Sequence, residues 1–587
     1  MQKSLKFSVT AALMLTVAHV ASADEVKLQS DDNSINLSGD LIDFKNGVYF
    51  IRTDLGALRI SADRVNCIGA ACPDLEGQEA VVNDQVRLRT DDGSIELEGR
   101  LVKFEDETYF VETTIGDFQL ASDGVQCVGE ACPAVNLDVR EFMISSSNEL
   151  TRNLIPGLVD GYADYLNASQ ERTTDASGIE AIQLASASGD TEATIQLASS
   201  DSATAFNQLV DGESTLAATT RAVATEELNQ LIGLNADDLA RARSENVLAL
   251  DGLAIVVAPD NPVRAISEAD IARIFSGEIT NWAEIGGNDG PISLYARSKE
   301  SGSGSVFFDL LMDPARSTMS LDAQLLGSDS DVADAVQGDP AGIGFTSFST
   351  LGETRPLAIR GECGIQTPAT DFTIKTEEYP LTRRLFMYRP GASIPKVASE
   401  FLDYTKTEEA QDIITTAGFV DQGVSAVSVN EQGLRFVASV LPSEVDVTYE
   451  QIQDMMLELA PADRVSLTYR FEQGSARLDT RAEADIIRLA EMIKRGDFSN
   501  KELLLIGFTD SIGLGDLNLE LSRARAEQIR DELLQAIGED VPEDVVIRAT
   551  GYGEMSPLSC NDTLNGRQIN RRVELWTKDI IRSSTSF

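Results

Sequence analysis

The sequence predicts a multidomain chain: two β-rich repeats, then a large α/β domain, then a smaller α/β domain of βαβαβ type. Three observations predict it. Residues 26–73 and 86–133 align at an offset of 60 without a gap, and 21 of the 48 aligned positions are identical. Near residue 140 the period-two alternation of apolar residues gives way to strand-like segments alternating with helix-like ones, the pattern of an α/β domain. After residue 425 the texture changes again, into a compact β-α-β-α-β pattern beginning at Val465. At 587 residues with 42% hydrophobic residues, the chain can bury a core in each of three or four domains.

The first segment is a targeting signal. Lys3 and Lys6 precede an apolar run from Phe7 to Val20, and Ala21-Ser22-Ala23 gives the small-residue site at which cleavage of residues 1–23 is expected. No Cys precedes Cys67, which leaves no lipid attachment site at the new N-terminus, and no later segment is apolar enough to cross a bilayer as a helix. The expected location is the periplasm, with association to the cell wall or outer membrane. There, oxidising conditions favour disulfides.

The two repeats, residues 24–76 and 84–135, alternate apolar residues, as in Ile35, Leu37 and Leu41 or Ile95, Leu97 and Leu101, behind Asp-Asp-Asn and Asp-Asp-Gly turns. Period two with turn residues reads as short β-strands. Each repeat ends in a cysteine pair, Cys67 with Cys72 and Cys127 with Cys132. The spacing and the compartment favour a disulfide within each pair over a zinc site, although pairing between the repeats stays open. Cys363 and Cys560 fall in different domains, and their pairing is also open.

The middle domain, residues 136–425, carries a helix-like pattern over about 150–166 interrupted by Pro156, a β-branched run at 253–258, and a capped helix start at Ser267. Residues 168–205, rich in Ala, Ser, Thr, Asp and Gln, read as loops around one or two strands. Residues 426–462 read as a linker with an acidic helix over 447–460. The last domain, residues 463–580, places helices around Ile486–Ile493 and Ala524–Leu533 between strands at 503–506, 545–549 and 573–576.

Charge narrows the function. The formal net charge is −47, from 48 Lys and Arg against 95 Asp and Glu, and phosphate backbones are bound by clustered cations, so nucleic acid is excluded as a partner. The acid excess is uneven: −14 over residues 24–135, −30 over 136–462 and −5 over 463–587. An anion site in the middle domain must therefore rely on local donors. The single His, His19, leaves with the signal peptide, which removes His-based catalysis and His-ligated metals. No nucleophile–base pair, Walker motif or metal cluster stands out, so neither an enzyme nor a cofactor is expected.

Local donors are present. Arg297 lies four residues before the turn Ser301-Gly302-Ser303, which opens a helix; backbone N–H groups, hydroxyls and a guanidinium together can cradle a tetrahedral oxyanion. Ser145-Ser146-Ser147-Asn148 precedes another helix, and Thr219-Thr220-Arg221 forms a third hydroxyl-rich loop.

With Asp251 through Pro262, Ile274 through Trp282, Arg297 through Phe307, Ala341 through Phe345 and Glu378 through Leu381, residues 140–425 resemble the PstS-type periplasmic phosphate-binding proteins. The resemblance implies a two-lobed periplasmic-binding-protein fold of type II, closing at a hinge over phosphate or a related oxyanion, with an ABC transporter as a candidate partner. Together with the loops, it makes Ser146, Ser147, Thr220, Arg221, Arg297, Ser301, Gly302 and Ser303 the candidate anion-binding residues. The first loop departs from the family's usual Gly-Ser, reading Ser146-Ser147-Asn148-Glu149. Some relatives carry an Asp at the position of Thr220, an acceptor that protonated phosphate needs and sulfate does not.

In the last domain Phe471 through Leu478, Gly507-Phe508-Thr509-Asp510, Asn518 through Ala526 and Asn561 through Val573 occur in order and resemble the OmpA-like peptidoglycan-binding domain. A zwitterion such as the free end of diaminopimelate needs a carboxylate for its ammonium and a guanidinium for its carboxylate. Asp510 is expected to end a strand and Arg525 to sit near the start of the next helix, so that both face one pocket; the resemblance assigns these roles to them, with Asn518 as a supporting contact, and the bland alternative is an ion pair between the two. The family's usual His is Phe508 here. The whole reads as a peptidoglycan-tethered oxyanion receptor. A structural envelope protein whose receptor domain has lost its ligand is the alternative.

Overall fold

The computed structural model describes ten N-terminal strands with Cys72, and residues 139–580 apart from 224, 233–243, 391–393, 434–446, 472–476 and 539–540. The expected signal peptide and Cys132 lie outside the described residues, and with them the Cys127–Cys132 pairing.

Strands Glu25–Gln29, Asn36–Lys45, Val48–Thr53, Gly56–Ser61 and Asn66–Ile68 form an antiparallel sheet in which the fifth strand returns to pair with the first. Cys67 on that returning strand is bonded to Cys72. Strands Gln85–Thr90, Glu96–Glu105, Thr108–Thr113, Gly116–Ala121 and Val125–Val128 pair in the same order. Register irregularities recur at equivalent places, between Leu41 and Asp43 and between Leu101 and Lys103. In the second sheet the period-two pattern buries Val86, Leu88, Leu101, Tyr109 and Val111 on one side.

The middle domain is built on an extended sheet shared by two lobes. Strand Glu245–Val257 runs through both: its first half pairs with Thr382–Tyr388, its second half with Gly342–Ser347. One lobe packs Phe142, Ile144, Leu154, Leu158 and Phe401 in its core; the other packs Ile255, Ile271, Phe275, Phe307 and Phe345. Within the first lobe Glu141–Ser147 is parallel to both Thr191–Ser200 and Leu216–Thr219, and in the second Ser293–Ala296 is parallel to Gly342–Ser347. Ligands of α/β sheets sit outside the carboxyl ends of parallel strands. Here those ends carry Ser147, Thr220, Arg297 and Ser347.

Several expected elements shift. Pro156 does not kink one helix but starts a second: Asn148–Asn153 ends and Ile155–Tyr165 begins, with the proline in the first turn where its missing N–H costs nothing. Ser267 caps Glu268–Phe275 by accepting from Asp270 N–H. Residues 168–205 hold three strands, Ser169–Thr174, Glu180–Ala185 and Thr191–Ser200, rather than one or two. The first is exposed along its length, so no hydrophobic face advertises it in the sequence.

The C-terminal sheet takes the order Ala426–Ser428, Asp463–Arg470, Arg572–Asp579, Lys501–Phe508, Val546–Gly551. Helices Thr480–Arg495 and Gly515–Ile537 cover one face through Ile486, Leu489, Ile529 and Leu533. The segment expected to be a linker belongs to this domain: residues 426–428 add an edge strand, and Met455 and Leu459 of helix Tyr449–Leu459 cover the second face over Leu504, Ile506 and Trp576.

The middle and C-terminal domains are bolted together. Cys363 and Cys560 form a disulfide. Glu377, in the turn leading to strand Thr382–Tyr388, is paired with Arg384 at 2.5 Å and with Arg470 and Arg481 of the C-terminal domain at 3.4 Å each. Burial works against its charge, but Arg384, Arg481 and Arg470 hold its carboxyl well below the usual range. Fully buried Arg464 lies between Glu378 at 3.3 Å and Glu574 at 2.9 Å.

Candidate functional site: an interlobe cleft and a carboxylate–guanidinium pocket

The hydroxyl loops meet between the lobes. Ser147 ends strand Glu141–Ser147, is 4% exposed, and its Oγ has no hydrogen-bond partner. A buried orphan hydroxyl is costly unless something else satisfies it. Ser146 Oγ donates to Ser147 O at 3.3 Å, whereas Ser145 turns into the lobe to Gln208. Thr220 is buried beside Ser202: its N–H donates to Ser202 Oγ at 3.1 Å, and the two hydroxyls are 3.2 Å apart.

From the other lobe, Ser301 caps helix Gly302–Phe307, accepting from Gly304 N–H at 3.0 Å. The lobes touch at Gly302, where an added Cβ would fall 1.8 Å from Thr220 Oγ1. Glycine is required there by close approach rather than by backbone angle. Ser303 Oγ donates to Asp329 at 2.5 Å and accepts from Arg383 at 3.0 Å. Arg297 donates to Asp329 at 2.8 Å and to Leu326 O.

Arg383 is the residue the sequence reading missed. It sits on strand Thr382–Tyr388 directly opposite Asp251, donates to it through Nε at 2.8 Å and Nη2 at 2.6 Å, and reaches Glu149 through Nη2 at 2.7 Å. Asp251 and Asp329 are anchored further by backbone N–H groups of Phe348 and Ser347, each at 3.0 Å. The signal was available: Asp251 and Arg383 are charged residues beside apolar strand runs, and charges in such positions are almost never buried unless paired. Arg221 does not join the cluster; Glu227 engages its guanidinium at 3.0 and 3.1 Å within its own lobe.

The C-terminal pocket also differs from a simple pair. Asp510, two residues beyond strand Lys501–Phe508, accepts from Arg571 at 2.6 Å and from Ile512 N–H at 3.0 Å. Arg525 lies in the middle of helix Gly515–Ile537, not near its start; its guanidinium stacks 5.0 Å over Phe471, and its Nη1 is buried without a hydrogen-bond partner. Burial and Arg571 weigh against the Arg525 charge, and Asp510 favours it. The third charged member, Arg571, went unassigned in the sequence although Asn570-Arg571-Arg572 closes the last motif. Asn518 Nδ2 approaches Asp510 O and Glu554 at 3.4 Å each, bracing the loop. Phe508 is fully buried under the Arg572 guanidinium, so it fills core space outside the charge cluster.

Comparison with known proteins places both domains. Residues 172–409 match the family described as a PBP superfamily domain, and residues 470–571 match the OmpA family. The phosphate-binding protein PstS of Bacillus subtilis is 32% identical over 182 residues, covering 31% of this chain and 58% of the relative's length. Outer membrane porin F of Pseudomonas aeruginosa is 36% identical over 116 residues, covering 20% of this chain and 32% of the porin. An ABC-type phosphate transport receptor from Vibrio cholerae aligns over 48% of this chain and 99% of its own, at 23% identity and a TM-score of 0.37. By the family matches, the chain carries a PBP-superfamily-like domain, similar to PstS, followed by an OmpA-like domain. It spans a little over half of the Bacillus relative and a third of the porin.

Proposed function

We propose that this protein is a periplasmic receptor for phosphate or a related oxyanion, held on peptidoglycan by its OmpA-like domain. The reading rests above all on the cleft, where Ser147, Thr220, Ser301-Gly302-Ser303, Arg297 and Arg383 converge from both lobes and the hinge and leave a buried hydroxyl unsatisfied. Hydroxyls, a helix start and two guanidinium groups suit the binding of a tetrahedral anion. The phosphate-binding relatives support the same ligand class. Calorimetry on the full chain with phosphate and sulfate tests it; folded protein that binds neither would rule the reading out.

The tether rests on Asp510 and Arg525, where a carboxylate and an unpartnered guanidinium nitrogen suit the ammonium and carboxylate of a diaminopimelate stem peptide. The two N-terminal sheets, the first stapled by Cys67–Cys72, act as β modules of the same envelope protein, delivered by the signal peptide. One observation favours the alternative of a spacer without ligand: Arg297 and Arg383 already hold carboxylates.

A further inference from the structure

Three carboxylates face the two cleft guanidinium groups, and they are not equivalent. Asp251 is held by Arg383 and the Phe348 N–H, on a neighbouring strand of the same ladder. Asp329 is held by Arg297, Ser303 and the Ser347 N–H. Both are therefore structural parts of the cleft wall. Glu149 differs. It lies in the first turn of helix Asn148–Asn153, two residues after the orphan hydroxyl of Ser147, and its one hydrogen-bond partner among the described residues is Arg383 at 2.7 Å. Its side chain is 19% exposed, whereas that of Arg383 is 3% exposed. It is thus the acid whose departure would cost the fold least and would free an edge of a cleft guanidinium.

We infer that Glu149 is a built-in competitor for the anion site: its carboxylate takes the edge of Arg383 that a bound oxyanion would use, so it sets both the affinity of the cleft and its dependence on proton concentration. The inference rests on the receptor reading above. The groups facing Glu149 are Arg383 from strand Thr382–Tyr388, Asp251 from Glu245–Val257, Asp329 from the helix Asp329–Gly338, and Arg297 beyond Ser293–Ala296. Burial pushes the Glu149 carboxyl up, Asp329 and Asp251 add to it, Arg383 and Arg297 oppose it, and the balance stands at about 8. Two cations against three carboxylates leave the ionised cleft one negative charge in excess, and protonating Glu149 brings it to neutrality. An oxyanion then meets no net repulsion.

The sign follows from linkage. A bound anion beside Glu149 favours its protonated form, so binding takes up a proton and affinity falls as pH rises through about 8. Phosphate itself titrates in this range, whereas sulfate does not. The two serve together as probes on the full chain, with Glu149→Gln, which keeps the side-chain shape without the charge, and Glu149→Ala as a second variant.

At about pH 9 both variants are expected to bind the anion that wild type binds about tenfold more tightly than wild type does, since ionised Glu149 then outnumbers neutral Glu149 about ten to one. At about pH 6.5 the Gln variant and wild type should agree within about threefold. Wild type that binds, with variants of equal affinity at both pH values or variants that lose binding at both, would overturn the competitor role while leaving the receptor intact. Failure of wild type and both variants to bind either anion at any pH would overturn the receptor reading and this inference with it.

Discussion

At the scale of single residues, the cleft stores its chemistry in ionisation states. Glu149 carries a carboxyl raised to about 8, chiefly by burial, so between the unfolded value near 4.3 and about 8 the folded chain binds a proton that the unfolded chain has released. Stability from this group is full below the unfolded pKa and is lost as pH rises through the folded one. Glu149→Gln should therefore flatten the decline of melting temperature between about pH 5 and pH 8 relative to wild type. The difference between the two curves is the informative quantity, because Glu268, raised to about 7 by burial and by Asp562, titrates in the same window in both proteins. Parallel curves would show that Glu149 is already charged in the fold. In the other pocket, Asp510→Ala should abolish co-sedimentation with purified sacculi while leaving the fold intact, since Asp510 sits at the start of a loop and loses only Arg571 and a turn N–H. A variant that still pelleted fully would remove Asp510 from the tether.

At the scale of elements, the close contact at Gly302 is what lets the helix Gly302–Phe307 approach the opposite lobe. Gly302→Ala should hinder closure, because the new methyl group would collide with Thr220, and overpacking costs about 1–3 kcal/mol. At about 1.4 kcal/mol per factor of ten, anion affinity should fall by about tenfold to a hundredfold in calorimetry, with little change in melting temperature because each lobe keeps its own core. Unchanged affinity would mean that Gly302 and Thr220 separate in the ligand-bound state.

The elements that could be read from sequence are those with a strong local signature. Ser267 as a cap, the Ser-Gly-Ser turn and the C-terminal alternation all depend on neighbours within a few residues. The exposed strand Ser169–Thr174 had no apolar face to reveal it, and the strand Glu245–Val257 showed only its fully buried second half. Long-range pairing was hidden for a different reason. Asp251 and Arg383 meet across 132 residues, and nothing in either local pattern specifies the partner.

At the scale of the whole molecule, the join between the middle and C-terminal domains lies against the strand that pairs with Asp251. Arg383 and Arg384 are consecutive on strand Thr382–Tyr388: the first contributes to the cleft, while the second is bonded to Glu377 and to Asp479 of the C-terminal domain. Successive side chains of a strand point to opposite faces, so one short strand serves both sites. The Cys363–Cys560 disulfide adds a covalent link between the two domains, joining residues 197 apart in sequence. Closing so long a loop removes much entropy from the unfolded chain, and such bonds contribute about 2–5 kcal/mol. Buried ion clusters are also lopsided, since removing one partner strands the others at a cost of about 3–5 kcal/mol. The two domains should therefore unfold together in the oxidised protein. Replacing both cysteines, Cys363→Ser with Cys560→Ser, should lower the melting temperature, and adding Glu377→Gln, which leaves Arg470 and Arg481 without their shared carboxylate, should split calorimetric unfolding into two transitions. Two separate transitions already present in the oxidised wild type would show that the domains are joined without being coupled.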